Sequence, residues 1–365
     1  MPAPVIYQPG FETRSPQEAE TIAELIETLR GISETTLEDG GHALRSVHAK
    51  SHGLLQGELT VLEGLPPELA QGVFAKVACY PVVLRFSTTP GDILDDSVSA
   101  PRGLGIKLIG VEGERLPGAG GATTQDFVMA NAPAFAAPDP KAFLGNLKLL
   151  AKTTDKAQGL KKAFSAVLRG AEAVVETFGG KSPLLTTLGG QPLTHVLGET
   201  YYTQAPLLHG PYIAKLSVAP VSEGLLALVG KKVAVGGKPN GLREAVTEYF
   251  ATHGGEWELR VQLCTDIVAM PIEDASVVWP EDRSPYVAVA RISVPPQPAW
   301  SEARSQVVDD RMAFSPWHGL AAHRPIGGIM RARKPAYAMS AEFRGKHNGC
   351  PMHEPAQLEP GTLPG

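Results

Sequence analysis

The sequence predicts an α+β protein: an antiparallel β-sheet or barrel with surrounding helices. Short β-rich runs separated by Gly- and Pro-rich turns recur at 54–62, 81–87, 103–111, 126–130, 212–218, 256–269 and 286–294. Around them lie segments whose apolar residues recur at helical spacing. The chain has 365 residues, enough for a sizeable core in one large domain or two.

In chain order, Ser15-Pro-Gln-Glu18 reads as a capping box with Pro at the first helical position. It opens a helix with Ile22, Leu25, Ile26 and Leu29 on one face, which Gly31 can stop. A second short helix is expected from Glu34 towards Asp39, before Gly40-Gly41. The strands at 54–62, 81–87, 103–111 and 126–130 follow. Helices are expected from Asp139-Pro140 through Leu150 and from Asp155 to Phe178. The stretch from Ser182 to Leu208 is rich in Gly, Pro and Thr and reads as a surface excursion. Strand character returns at 212–218, 256–269 and 286–294, with a helix from Gly241 to His253 between them. Ser301 to Met312 reads as helical, and a loop at Pro316–Gly328 leads into a last helix reaching about Arg344. From Lys346 the chain is Pro- and Gly-rich and is expected to be loosely ordered. The organisation expected is a helical arm at 1–40, a barrel core with helical insertions at 41–345 and a flexible tail at 346–365.

The formal net charge is -5 with no basic block, which argues against a nucleic-acid or anionic-membrane partner. Cys79, Cys264 and Cys350 are scattered and odd in number, as in a reducing compartment. The first ten residues have no basic stretch followed by an apolar run, and no apolar run is long enough to span a bilayer. A cytoplasmic protein is the expectation.

Chemistry concentrates in two places. In the last helix, Arg333 and Tyr337 are four residues apart and so share a helix face. A phenol ligates iron well only as the phenolate, and a guanidinium one turn away favours that anion. Tyrosine is one of the axial ligands that haem proteins use. Taken alone, the spacing belongs as readily to any amphipathic helix. The second place is the N-terminal third, where polar residues recur inside β-rich runs: Arg45 and His48 ahead of one, Arg85 and Ser87 within another, Asn131 after a third. Charged residues are rarely buried without a partner, and an anion within the sheet would account for Arg45, Arg85 and Arg333 together. Three unrelated surface arginines fit the spacing too. His347, Cys350 and His353 bring metal-ligand types together, but in a polar tail, where disorder is the plainer reading. Tyr201, Tyr202 and His209 read as packing residues.

Several segments in order resemble the haem catalases. Arg45-Ser-Val-His48-Ala-Lys-Ser-His-Gly53 resembles their distal-histidine segment, and Leu84-Arg85-Phe-Ser87-Thr88 their R-F-S-T strand. The run from Asp96 through Pro101-Arg102-Gly103 to Lys107 is similar to their D-x-V-x-x-P-R-G-x-x-x-K. Phe127 to Phe135 resembles the segment carrying their distal asparagine, and Ala313-Phe-Ser-Pro316 followed by Arg333-x-x-x-Tyr337 their proximal segment. The likeness runs from about Arg45 to Tyr337 and is poor from about Lys152 to Val235. It implies a haem b ligated by Tyr337, with Arg45, Arg85 and Arg333 near its propionates and the phenolate. His48 would be the distal acid/base, oriented by Ser87, with Asn131 as its polar partner. Val47 would narrow the pocket, and Phe135 and Phe143 would wall it.

The chain ends soon after Tyr337, so it looks like the small catalase-related haem peroxidases. That implies reduction of hydrogen peroxide or organic hydroperoxides with small organic donors, with weak catalase activity at most. It points away from the tetramer of the larger enzymes and leaves a homodimer open. Two alternatives follow. One is a hydroperoxide dehydratase resembling the catalase-related allene oxide synthases; these carry threonine just before the distal histidine, where this chain has Val47 as catalases do. The other is a non-catalytic haem-binding protein, which would have no need of the His48/Asn131 pair.

Overall fold

A computed structural model describes residues 2–119, 121–151, 192–358 and 363–364. The helix expected at 155–178 and the first part of the expected surface excursion lie outside the described residues.

Among the described residues, nine strands form one antiparallel sheet: β1 (Lys50–Val61), β2 (Cys79–Thr88), β3 (Arg102–Ile109), β4 (Thr124–Ala130), β5 (Tyr201–Tyr202), β6 (Leu207–His209), β7 (Tyr212–Pro220), β8 (Gly255–Leu263) and β9 (Val287–Val294). The order is β5-β4-β3-β2-β1-β9-β8-β7, and β5 also pairs with β7. Eight strands therefore close into a barrel, with β6 attached to β7 outside the ring. Alternate residues point inwards: Val82, Leu84 and Phe86 of β2 meet Leu104, Ile106 and Leu108 of β3, Trp257 and Leu259 of β8 and Ile292 of β9 in one apolar interior. The opposite residues of β2, Val83, Arg85 and Ser87, face outwards yet are buried, because other elements cover this side of the barrel. The polar residues expected within the sheet thus lie on its outer face.

The stretch read as a surface excursion is corrected for its described part. Val196, Leu197, Tyr201, Ala205 and Leu207 are buried, and Tyr202 pairs with Ala130 of β4 and with Ser217 of β7. Two residues of strand close the barrel here, too few to show a period of two in the sequence. Tyr201 and His209 are packing residues: the Tyr201 hydroxyl donates to Val196 O at 2.8 Å, and His209 Nε2 lies 2.9 Å from Leu69 O.

Among the described residues the helices are α1 (Glu18–Gly40), α2 (Pro140–Ala151), α3 (Glu223–Leu226), α4 (Gly241–Phe250), α5 (Glu302–Ser305) and α6 (Gly328–His347). Helix α1 passes straight through Gly31 instead of stopping there. Leu25, Leu29 and Ile32 continue one buried stripe against Leu144 and Leu147 of α2 and Ala336, Met339 and Phe343 of α6. That burial outweighs the ~1 kcal/mol that a helical glycine costs relative to alanine. The stop comes at Gly41, left-handed at φ 67. Nor does Ser15 cap the helix through its side chain; α1 begins at Glu18 with no side-chain cap bond. The helix expected at 301–312 is the single turn α5 followed by a π-turn at Gln306–Asp310, whose wider winding leaves main-chain carbonyls free for other donors.

The segment after α6 lies along the barrel. Glu354 reaches Lys107 Nζ at 2.6 Å and Thr124 Oγ1 at 2.8 Å, and Leu358 and Leu363 are buried with Leu54 and Val83. No helix among the described residues is long and apolar enough to cross a membrane.

The titratable core makes stability depend on pH. Burial lowers the pKa of His195 and His209 to about 4, and of His48 and His323 to about 3. These rings fold neutral, so their contribution is complete above about pH 6.5 and is lost as pH falls through 4 and 3. His318 is the reverse. Its hydrogen bonds to Asp126 and Glu354 outweigh burial and raise it to about 9, so its contribution is complete below about pH 6.5 and is lost as pH rises through 9. The melting temperature, followed by circular dichroism, is expected to fall as pH drops from about 6 to 3, the window between the unfolded and folded pKa values of these rings. A melting temperature that holds from pH 6 down to pH 3 would contradict this account.

Candidate active site on the outer face of the barrel

The segment from Arg45 to His48 runs between helix α6 and the outer faces of β2 and β3. Ser46 N donates to Ser340 Oγ of α6 at 3.4 Å. His48 takes a positive φ of 55, which for a non-glycine residue costs of order 1–3 kcal/mol and is a feature of functional sites. The fold turns the backbone there so that the imidazole lies over Gly103 of β3. A Cβ at Gly103 would sit 2.5 Å from His48 Nδ1 and 3.1 Å from Ser87 Oγ. Gly103 therefore makes the ring's position available.

Ser87 Oγ lies 3.3 Å from His48 Nδ1 and 3.4 Å from Gly103 O, within reach of both. A hydroxyl that gives its one proton to Gly103 O accepts from Nδ1–H and leaves Nε2 as the base. Burial first, then the Arg85 and Arg333 charges, push the His48 pKa down to about 3, so the ring is neutral across the ordinary pH range.

On α6, Arg333, Tyr337, Ser340 and Arg344 form one stripe. Arg333 Nη2 donates to Tyr337 Oη at 2.9 Å, and the guanidinium lies 5.3 Å from the centre of the Tyr337 ring. This is the contact expected from their spacing.

Beside the stripe, three guanidiniums converge on the π-turn. Asp309 accepts from Arg85 Nε at 2.6 Å, Arg45 Nη1 at 3.2 Å, Ser51 Oγ at 2.7 Å and Ser305 Oγ at 2.8 Å. Its main-chain carbonyl accepts from Arg45 Nη1 at 2.7 Å and Arg344 Nη1 at 2.6 Å. The arginines hold the Asp309 carboxyl far below its ordinary pKa. One carboxylate does not balance three guanidiniums. Asp310, 2.9 Å from His42 Nε2, adds a weaker pull. Burial and mutual repulsion still lower Arg45 well below its ordinary pKa and Arg344 to about 10. Arg344 Nε is buried with no hydrogen-bond partner among the described residues. The cradle holds surplus positive charge and an orphan donor, as a binding site for a further anion requires.

Among solved structures, the chain is similar to a bacterial catalase, with a TM-score of 0.60 and 17% identity over 99% of this chain and 67% of that one. It is similar to catalase A from Saccharomyces cerevisiae, with a TM-score of 0.59 and 17% identity over 86% and 63%. A fungal catalase gives a TM-score of 0.58 and 17% identity over 90% and 66%. This chain has the catalase fold. It spans about two-thirds of the length of those catalases. No protein-family model matches the sequence, and no curated protein matches it either.

Within this catalase fold, the remaining candidates are placed as follows. Asn131 follows Ala130, the partner of Gly103 in the β3–β4 ladder, and its main-chain N–H donates to Arg102 O at 3.1 Å. Its amide is oriented from both ends: Oδ1 accepts from Arg102 N at 3.0 Å, and Nδ2 donates to Glu199 Oε2 at 2.5 Å. Val47 lies against the α1–α2–α6 cluster. Phe135 and Phe143 contact each other at 5.0 Å between ring centres and pack near Ile329 and Met330, in the first turn of α6. The sequence reading missed Asp309, Arg344, Gly103 and Glu199. Arg344 had a usable signal, since it falls two turns beyond Tyr337 on the same face. Asp309 and Glu199 had none, because only the π-turn and the closing strand bring them to the site.

A second cluster, Asp126, His318 and Glu354, has metal-ligand types within 4.8 Å of one another. Lys107 Nζ sits among them, 2.7 and 2.9 Å from the Asp126 oxygens and 2.6 Å from Glu354. The ammonium takes the place a cation would occupy.

Gly103→Ala tests the histidine seat. The added methyl is expected to cost about 1–3 kcal/mol through overpacking, or to swing His48 away and return its pKa towards 6.5. Chemical unfolding and imidazole titration by NMR measure the two outcomes. If both match wild type, the ring does not rest on Gly103.

Proposed function

We propose that this protein binds haem b and reduces hydrogen peroxide or organic hydroperoxides with small organic donors. The observation that carries the reading is a buried neutral His48 within the field of Arg333, the residue whose guanidinium bonds the Tyr337 phenol on α6. The charge balance of the cradle supports it. Haem brings two carboxylates, which suit the surplus charge of Arg45, Arg85 and Arg344 and the orphan Arg344 Nε. Tyr337 would hold the iron, with Arg333 favouring the phenolate. When bound, haem supplies the iron that accepts the oxidising equivalents of the peroxide.

The chain's own residues handle the protons. His48 Nε2 takes the proton from the near oxygen of the peroxide and returns it to the far oxygen, which leaves as water; a neutral imidazole can do both. Ser87 keeps Nδ1 protonated throughout and so keeps Nε2 available. Asn131, oriented by Arg102 N–H and Glu199, borders the path of the peroxide. Val47 limits the space beside His48, and it offers no hydroxyl that could engage the imidazole, which favours peroxide reduction over hydroperoxide dehydration.

Two variants of the haem-loaded protein test the proposal. His48→Ala is expected to keep haem but to slow the reaction with peroxide by about 10²–10⁴-fold, the usual worth of a positioned acid/base. Tyr337→Phe is expected to change the visible absorption spectrum or lose haem. A wild-type spectrum in the tyrosine variant removes Tyr337 as ligand, and a wild-type stopped-flow rate in the histidine variant removes His48 as proton carrier. Oxygen release measured beside donor oxidation at equal peroxide separates catalase from peroxidase activity.

A further inference from the structure

An open groove of about 430 Å³ lies between the start of α1 and the N-terminal half of α6. Its apolar wall is Pro16, Ala19, Ile22 and the Trp317 ring. The Trp317 indole N–H is already committed, donating to Met330 O at 2.8 Å, so the ring offers only its apolar surface. Lys334 Nζ stands 4.7 Å from the centre of that ring. Arg14 lines the same groove. Neither Arg14 nor Lys334 forms an ion pair among the described residues.

The third cation differs. Arg331 bonds Glu18 at 2.7 and 2.6 Å and also reaches Glu12 and Glu273, so its charge is spent internally. Two unpaired cations thus face an aromatic and aliphatic wall in a space the size of a small-molecule site. A neutral apolar ligand would leave both charges unmatched, and an inorganic anion would leave the Trp317 and Ile22 surfaces bare. A flat ring bearing one carboxylate satisfies both, with the ring on Trp317 and the carboxylate towards Lys334 and Arg14.

We propose that this groove binds small aromatic carboxylates. Under the peroxidase reading, on which this second step rests, it is the docking site of a phenolic carboxylate donor. One layer of side chains separates it from the candidate iron ligand: Trp317 bonds Met330 O, Met330 Sδ lies 3.7 Å from Arg333 Nη1, and Arg333 bonds Tyr337. Two donor molecules would each give up one electron and one proton, and together reduce one hydrogen peroxide to two waters.

The test uses the haem-loaded protein with 4-hydroxybenzoate and, as the ring without the carboxylate, phenol. Calorimetry is expected to show saturable one-site binding of 4-hydroxybenzoate, weakened about tenfold in the double variant Arg14→Gln/Lys334→Gln, since two exposed ion pairs are lost. In peroxide-driven oxidation, KM for 4-hydroxybenzoate is expected to rise by a similar factor in the double variant, with kcat and the KM for phenol unchanged. Absence of saturable binding, or affinity equal in variant and wild type, overturns the groove assignment. Binding that responds to the variant without any oxidation of either phenol upholds the groove and sinks the peroxidase reading. Oxidation whose KM ignores the variant does the opposite.

Discussion

Buried positive charge on the outer face of a closed barrel governs how this protein is put together. Arg45, Arg85 and Arg344 come from a loop, a strand and a helix that are distant in the chain, and all three meet at Asp309. Removing a guanidinium from water costs several kcal/mol unless it finds partners, so these contacts tie their elements together as firmly as apolar packing does. The π-turn is what makes one residue sufficient. Its wide winding presents the Val308 and Asp309 carbonyls as well as the Asp309 carboxylate to the arginines. Even so, the arginines outnumber the nearby carboxylates, and that imbalance is the strongest physical pointer to an anionic ligand.

The same face illustrates how a barrel can carry a site outside itself. Inward residues of β2 and β3 make an ordinary apolar core. Outward residues are buried too, but against a helix and a loop, and so can be polar if each is paired. Ser87, Arg85 and Gly103 occupy outward positions, and each acts on His48 or its surroundings: a hydrogen-bond partner for Nδ1, a nearby positive charge and the space for the ring. On the same face, Lys107 is enclosed by Asp126, Glu354 and His318 instead, which ties the segment after α6 to the barrel. Each solution costs desolvation, and each is offset by charge-assisted bonds in a low-dielectric setting.

The chain spans about two-thirds of the length of the catalases it resembles in fold. The groups proposed to handle protons, those proposed to hold haem and the proposed organic-anion groove all lie on or beside α6. Helix α6 contains Pro335 yet runs without a break from Gly328 to His347, with Ala332, Ala336 and Met339 buried.

By itself the sequence determined the repeating strands, the stripe of α6 and the Arg333–Tyr337 contact, because periods of two and 3.6 and a four-residue spacing are local geometry that any reader of the chain can count. It also marked His48, Ser87 and Asn131 through their place in motifs resembling those of haem catalases. It misled at Gly31, where propensity argued for a stop and packing on α2 and α6 carried the helix through, and at 192–208, where Pro and Gly content hid a closing strand of two residues. Only the tertiary structure decided that Asp309 would gather three arginines, that Glu199 would grip Asn131 and that Gly103 would seat the imidazole. Those relations join residues between 35 and 264 positions apart, through a π-turn, a barrel closure and a missing side chain, none of which leaves a period in the sequence.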